Sequence, residues 1–332
     1  MFNFIKRKRK WIPDREREIN YDANTQMNGK YPEIKKLGAC SPYGEMTPFV
    51  FHGRLMRMEQ VKRAQAKGRD PLDYGNHTII RDVATGEIIS RLAHGCYFTS
   101  GYLEGDTMYV LGTRSRDPEL GGCGDTVMIF QSRDLVQWEE RELLSRKGWN
   151  YYNTSLAKGE NGYVLCLEVG YAPDAPVGKT FTCFFATSPD MKTWTFMDNK
   201  TAYPMDRYCG GPYMRFHNGY FYLFLVTCLP CARFTNYLCR TKDFDKWEVS
   251  PYNPILMPSE EDKMISPRAA ELEGLEETIR TCFNINNSDI DFCEWQGKTY
   301  INYAVGNQLG YYHMCEAEYD GPVGEFLEAF FQ

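Results

Sequence analysis

The sequence predicts an all-β chain closed into a five-bladed β-propeller with a partly helical rim insertion, and three observations carry that prediction. The pattern Ser/Thr-x-Asp-x-x-x-Trp recurs three times, at residues 132–138, 188–194 and 241–247, with starts 56 and 53 residues apart. A strand-and-turn repeat of that period marks a solenoid or a propeller. Turn glycines stand at Gly53, Gly105, Gly162, Gly219 and Gly297, at intervals of 52, 57, 57 and 78, each between two strand-like runs. Finally, 23 Tyr and 20 Phe in 332 residues favour strands over helices.

The units follow in chain order. Glu45 to Phe51, the turn His52-Gly53 and residues 54–58 open the first blade; residues 88–102, Glu104-Gly105-Asp106 and 108–112 open the second. The third runs from Tyr151 through Gly159 and Gly162 to Glu168. The fourth runs from Gly211 through His217-Asn218-Gly219 to residue 225. The fifth starts at Ser288, turns at Gln296-Gly297 and continues from Lys298. In each repeated motif Asp or Ser caps a tight turn, and the Trp opens the next strand against the neighbouring unit.

The long last interval reads as an insertion at about 251–285, helix-forming between Pro258 and Arg280 but broken at Pro267 and Gly274, and laid over one rim. Residues 1–30 lack periodicity and read as a tail that ends in a strand completing the last blade; residues 31–332 form one domain.

Composition narrows the partners. A net charge of −6 and a pI near 5.6 exclude nucleic acid as the main partner. The basic run from Lys6 to Lys10 is followed at once by Asp14, Glu16 and Glu18 and reads as a solvated tail. No apolar stretch follows it as a signal peptide requires, and no run is long enough to span a bilayer, so a cytoplasmic location is expected. The twelve Cys are scattered through apolar segments, as reduced core thiols are; Cys228 and Cys231 have C-x-x-C spacing without a second pair or a His cluster. His52, His77, His217 and His313 show no metal-ligand spacing, so no metal is assigned.

Ring closure brings five inner strands to one axis, so their polar residues converge although distant in sequence. Counting eight residues back from each turn glycine gives Glu45, Tyr97, Thr154, Gly211 and Asp289. Asp291 follows Asp289 by two and shares its side of the strand. Glu168 ends an otherwise apolar second strand, and Arg114 is its counterpart one blade earlier. A carboxyl in such a place is costly unless paired or functional, and carboxyls crowded together shift one another's pKa as acid–base chemistry needs. Asp289, Glu168 and Glu45 are therefore the candidate catalytic residues. His94, Asn153, Arg207, Arg114 and Tyr152 are candidate substrate contacts. The competing reading is that channel carboxylates hold a structural ion, water or backbone N–H groups, and that the aromatics Tyr97, Tyr151, Tyr152 and Tyr208 are packing between blades.

Five blades, their Asp-Trp closings and inner-strand acids resemble the five-bladed glycoside hydrolases of families 32, 43, 117 and 130, over about residues 38–332. The stretch Ser132-Arg-Asp134-Leu-Val-Gln-Trp138 is very similar to theirs. The resemblance implies a carbohydrate substrate, no cofactor, and catalysis by an Asp base and a Glu or other acid, often with a further Asp that tunes pKa. Carried over, Asp289 or Glu45 is the base, Glu168 the acid and Asp291 the tuning residue. The chain departs from the pattern in carrying Glu45 where an Asp is usual, and in lacking the Asn-Asp-Pro-Asn string and Glu-Cys pair of the fructan-cleaving branch. Arg116-Asp117-Pro118 looks like that branch's Arg-Asp-Pro but falls in a loop between strands.

The expected activity is an inverting, exo-acting glycosidase for small oligosaccharides or glycosides, because carboxyls from non-adjacent blades lie far apart and the insertion closes the pocket. Two rivals remain at this stage. A phosphorylase requires cations near the base, with Arg114, Arg207 and Arg57 available. A non-catalytic propeller that binds sugar or protein requires none of the acids.

Overall fold

In the computed structural model, which describes residues 14–19, 31–62, 76–114, 124–307 and 309–332, the strands form five antiparallel four-stranded blades, three as separate sheets and the fourth and fifth joined through a Thr235–Asn287 bridge into one nine-stranded sheet that also takes up a short N-terminal strand. The first comprises Gly44–Phe51, Arg54–Val61, His77–Asp82 and Ile88–Leu92. The second comprises Tyr97–Glu104, Thr107–Arg114, Thr126–Ser132 and Glu139–Ser145. Asn150–Gly159, Gly162–Tyr171, Thr182–Ser188 and Thr195–Phe196 form the third. Gly210–His217, Tyr220–Leu229, Arg233–Thr241 and Trp247–Val249 form the fourth. The fifth takes Asn286–Trp295, Lys298–Gly306 and Tyr312–Tyr319 from the end of the chain, and its outer strand, Lys35–Ser41, from the beginning. The ring is closed by hydrogen bonds between the two ends of the chain.

The repeated motif works as its composition requires. Asp134 Oδ1 accepts the N–H groups of Val136 and Gln137 at 2.9 and 2.8 Å. Asp190 and Asp243 do the same for the residues two and three further on. The next residue (Leu135, Met191 or Phe244) takes a φ near +60° and drops its apolar side chain into the core between blades. Trp247 is fully buried and stacks on Tyr203 at 4.3 Å, whereas Trp138 and Trp194 are half-buried.

That difference has a cause in the segment read as a tail. A helical turn at Asp14–Arg17 and the strand Glu18–Ile19 dock on the fourth blade, in parallel with Trp247–Val249. Arg17 is buried and donates to the carbonyls of Ala202, Thr201, Phe244 and Asp245. Asp14 accepts the N–H groups of Met205 and Asp206 at 2.6 and 2.9 Å. Periodicity misses this clasp because it is held by buried charges on backbone groups, not by an apolar stripe. The basic run at residues 6–10, Arg116-Asp117-Pro118 and Cys123 lie outside the described residues.

The insertion is partly helical as expected, with a tight turn at Glu260–Lys263 and a helix at Glu276–Thr281. Its position differs from expectation. It runs along the closing strand, with Ala39 N–H donating to Met264 O at 2.8 Å and Ser266 N–H to Ala39 O at 2.9 Å. Arg81 and Glu271 tie it to the first blade, and Arg268 and Glu318 tie it to the fifth. It braces the seam of the ring and contributes no wall to the central cavity.

Candidate active site

Each inner strand carries a β-bulge near its start: between Gly44 and Met46, Tyr97 and Ser100, Tyr151 and Thr154, Gly210 and Tyr213, and Ser288 and Asp291. A bulge bends the strand and re-aims a side chain. Here the bulged residues point into the funnel. Glu45, Phe98 and Asp289 hold φ values of +49°, +52° and +49° there, a conformation costly for residues with a Cβ. Gly211 is the fourth-blade equivalent at +47°.

The equivalent set is Glu45, Phe98, Asn153, Gly211 and Asp289, each eight residues before the second residue of its hairpin turn. Counting from the glycine instead gives Tyr97 and Thr154, one residue off in two blades. Gly105 occupies the first turn position of the second hairpin, and Gly162 follows the turn Glu160-Asn161 in the third. Turn type moved the glycine while the strand length stayed fixed.

A cavity of about 580 Å³ opens on the axis, walled by Glu45, Asp289, Glu168, Asn153, Tyr152 and Lys62 among others. Glu168 is buried; its Oε2 accepts from Asn153 Nδ2 at 2.8 Å and from Gly211 N–H at 2.9 Å. Burial pushes this carboxyl up to about 8, the two donors pull it back, and the charges of Asp289 and Glu45 raise it further. Asp289 accepts from Ser288 Oγ at 2.7 Å. Burial and then the charge of Glu45 lift it to about 6, against Ser288 and Lys62. A methyl group added at Gly211 would sit 2.2 Å from Asp289 Oδ1, so Asp289 and Glu168 approach the same glycine from two sides. Through that one residue their oxygens are at most about 8 Å apart.

Lys62 Nζ lies 3.4 Å from Glu45 Oε1 and over the rings of Phe98 and Tyr312. Sequence reasoning missed Lys62, Ser288 and Tyr312. Lys62 lies just past the end of its strand at Val61, whereas Glu168 stands inside a strand that runs on to Tyr171; the first-blade counterpart of Glu168 is Gln60, so no repeat position pointed to Lys62.

Other expected members lie elsewhere. Asp291 sits deeper, beside a void of about 40 Å³, taking Thr47 Oγ1 at 2.6 Å, Phe292 N–H at 2.6 Å and Arg215 at 3.5 Å. Burial raises it to about 8 against those three groups. The charge of Glu45 raises both Asp289 and Glu168, and that of Asp289 raises Glu168 as well. Arg114 turns outward to Glu140 at 2.6 Å, and its other nitrogen holds the carbonyl of exposed His94. Arg207 pairs with Glu18 and with Tyr203 Oη in the clasp. Arg57 is buried beside Glu59. Of the four tyrosines that the competing reading gives to packing, Tyr152 and Tyr208 line the cavity and Tyr151 is in the core. Among the described residues, no group of three His, Cys, Asp or Glu side chains is arranged to hold a metal.

No protein-family model matches the chain, and no curated protein matches it. Solved structures do. A glycoside hydrolase superposes with a TM-score of 0.55 at 14% identity, over 89% of this chain and 93% of that one. The GH43_1 enzyme from Xanthomonas citri complexed with xylose gives 0.53 at 11%, over 87% and 90%. The fold is that of the propeller glycoside hydrolases. An exo-1,5-α-L-arabinanase from a bovine ruminal metagenomic library matches with 0.50 at 10%, over 84% and 93%. Similarity at this level concerns the glycoside hydrolase fold; any activity has to be argued from the side chains.

Proposed function

We propose that the chain is a glycoside hydrolase in which Glu168 is the general acid and Asp289 the general base. The observation that carries this reading is geometric: two buried carboxyls meet at Gly211, Glu168 through the Gly211 N–H and Asp289 where a Cβ would stand, and burial lifts Glu168 to about 8 and Asp289 to about 6. Between those values Glu168 keeps its proton and Asp289 has lost its own, which is the division of labour that glycoside hydrolysis needs. Asn153 and Gly211 N–H both hold Oε2 of Glu168, which leaves Oε1 to carry the proton.

The reaction then balances without a cofactor. Glu168 gives its proton to the glycosidic oxygen as the C–O bond breaks. Asp289 takes a proton from water as the water oxygen bonds to the anomeric carbon on the opposite face. The bound of about 8 Å admits that water, and the inverting course is proposed because the two carboxyls come from non-adjacent blades, the third and the fifth. A cavity of about 580 Å³ suits a ligand of one or two sugar rings, hence an exo-acting enzyme for small glycosides.

The phosphorylase reading is weaker. Among the described lining residues Lys62 is the one cation, and it pairs with Glu45; Arg114, Arg207 and Arg57 are engaged outside the cavity. The test is turnover of a panel of pyranosides and furanosides with and without inorganic phosphate, with the first-formed anomer followed by NMR. Phosphate-independent release of the inverted sugar is expected. Strict phosphate dependence, or no turnover of any glycoside, overturns the proposal.

A further inference from the structure

Five aromatic rings form a continuous arc along one side of the cavity. Phe98 meets Tyr152 at 5.4 Å between centroids, Tyr152 meets Phe181 at 4.8 Å, Phe181 meets Tyr208 at 5.7 Å and Tyr208 meets Phe234 at 5.1 Å. All five are half-buried and line the same space. They come from blades two, three and four, whereas Asp289, Ser288, Glu45, Lys62 and Tyr312 come from blades five and one. The cavity therefore has one half dominated by charged and hydroxyl groups and another dominated by ring surface.

Glu168 belongs to the apolar half. Gly210, which has no side chain there, leaves open a surface bordered by Tyr208 Oη and Glu168 Oε1; a Cβ at that position would lie 3.1 and 3.6 Å from them. Gly170 likewise lets Tyr152 and Phe181 close together, since a Cβ would meet their rings at 2.7 and 3.2 Å. Two amide side chains near the arc are already engaged: Asn153 holds Glu168, and Asn286 Oδ1 takes the N–H of Phe234. A proton donor sits beside the leaving group, so the group it releases rests against rings.

We infer that the natural substrate is a glycoside whose leaving group is aromatic or otherwise apolar, not a second sugar. This rests on the acid–base assignment above and goes beyond it by naming the aglycone class. Stacked and edge-on rings contribute about 0.5–1.5 kcal/mol each, about two- to tenfold in affinity per contact.

The experiment compares benzyl glycosides, methyl glycosides and disaccharides of xylose, arabinose, glucose, galactose and mannose. A benzyl alcohol has nearly the leaving ability of a sugar alcohol, so a preference reads binding and not intrinsic reactivity. Calorimetric binding to Glu168→Gln protein is measured alongside kcat/KM. The expected result is a benzyl preference of about tenfold or more in both, with the benzyl-to-disaccharide ratio falling about tenfold in Phe234→Ala and Phe181→Leu. A disaccharide bound and cleaved as well as the benzyl compound overturns the inference while leaving the hydrolase reading standing. Tighter benzyl binding with no turnover of any glycoside supports the aromatic subsite and sinks the hydrolase reading.

Discussion

Glu168 is buried and its Oε2 is held by two donors, so Glu168→Gln preserves the shape of the site and removes only the transferable proton. For an unactivated glycoside kcat should fall about 10²–10⁴-fold. A dinitrophenyl glycoside, whose leaving group needs no proton, should lose far less; equal losses on both substrates would contradict the acid role. Gly211 gives a second test. Gly211→Ala places a methyl group against Asp289 Oδ1 in a backbone with φ of +47°, whereas Gly53→Ala meets nothing within 4 Å at +77°. Both variants carry strain of about 1–3 kcal/mol, but only the first should cost activity, about a hundredfold or more through displacement of the base. Parallel kinetics and thermal melts of the two variants distinguish a displaced base from a weakened fold. At this scale the sequence was partly legible. Asp289, Glu45 and Glu168 stood out as acids in strand positions, and Asn153 and Tyr152 reach the cavity as expected. Arg114, Arg207 and His94 did not, because each found a closer carboxylate, carbonyl or ring than the cavity offered.

At the level of elements, hairpin and motif positions were readable because turn chemistry is local: Asp134, Asp190 and Asp243 each cap the turn that their spacing announces. The bulges were not readable, since they depend on closure around the axis. The one-residue errors at Tyr97 and Thr154 came instead from the turns, where Gly105 and Gly162 hold different positions from the other turn glycines. The clasp at residues 14–19 was equally hidden, its energy lying in buried charge–carbonyl bonds. Arg17→Ala removes donors from four backbone carbonyls and should cost about 2–3 kcal/mol, seen as a lower midpoint in urea. An unchanged midpoint would show that the clasp is peripheral to the stability of the fourth blade.

For the molecule as a whole, the ring is sealed by Lys35–Ser41 pairing with Tyr312–Tyr319, and the insertion braces that seam. The ring holds the raised carboxyl of Glu168 at the expense of stability. Its folded pKa lies above the ordinary 4.5, so the folded state binds the extra proton between 4.5 and about 8. Its stabilising contribution is complete below 4.5 and is lost as pH rises through about 8. Glu168→Gln should therefore be more stable than the native protein by a few kcal/mol at pH 8 and nearly equal to it at pH 4.5. Melting curves at the two pH values check the sign; a variant less stable at pH 8 would contradict it.

The most direct test of the acid–base pair is kcat/KM against pH for one unactivated glycoside, in native protein and in Glu168→Gln. The native profile should be bell-shaped, rising through about 6 as Asp289 ionises and falling through about 8 as Glu168 loses its proton. The variant should keep the acid limb and lose the alkaline one. An alkaline limb that persists unchanged without Glu168 would contradict the account.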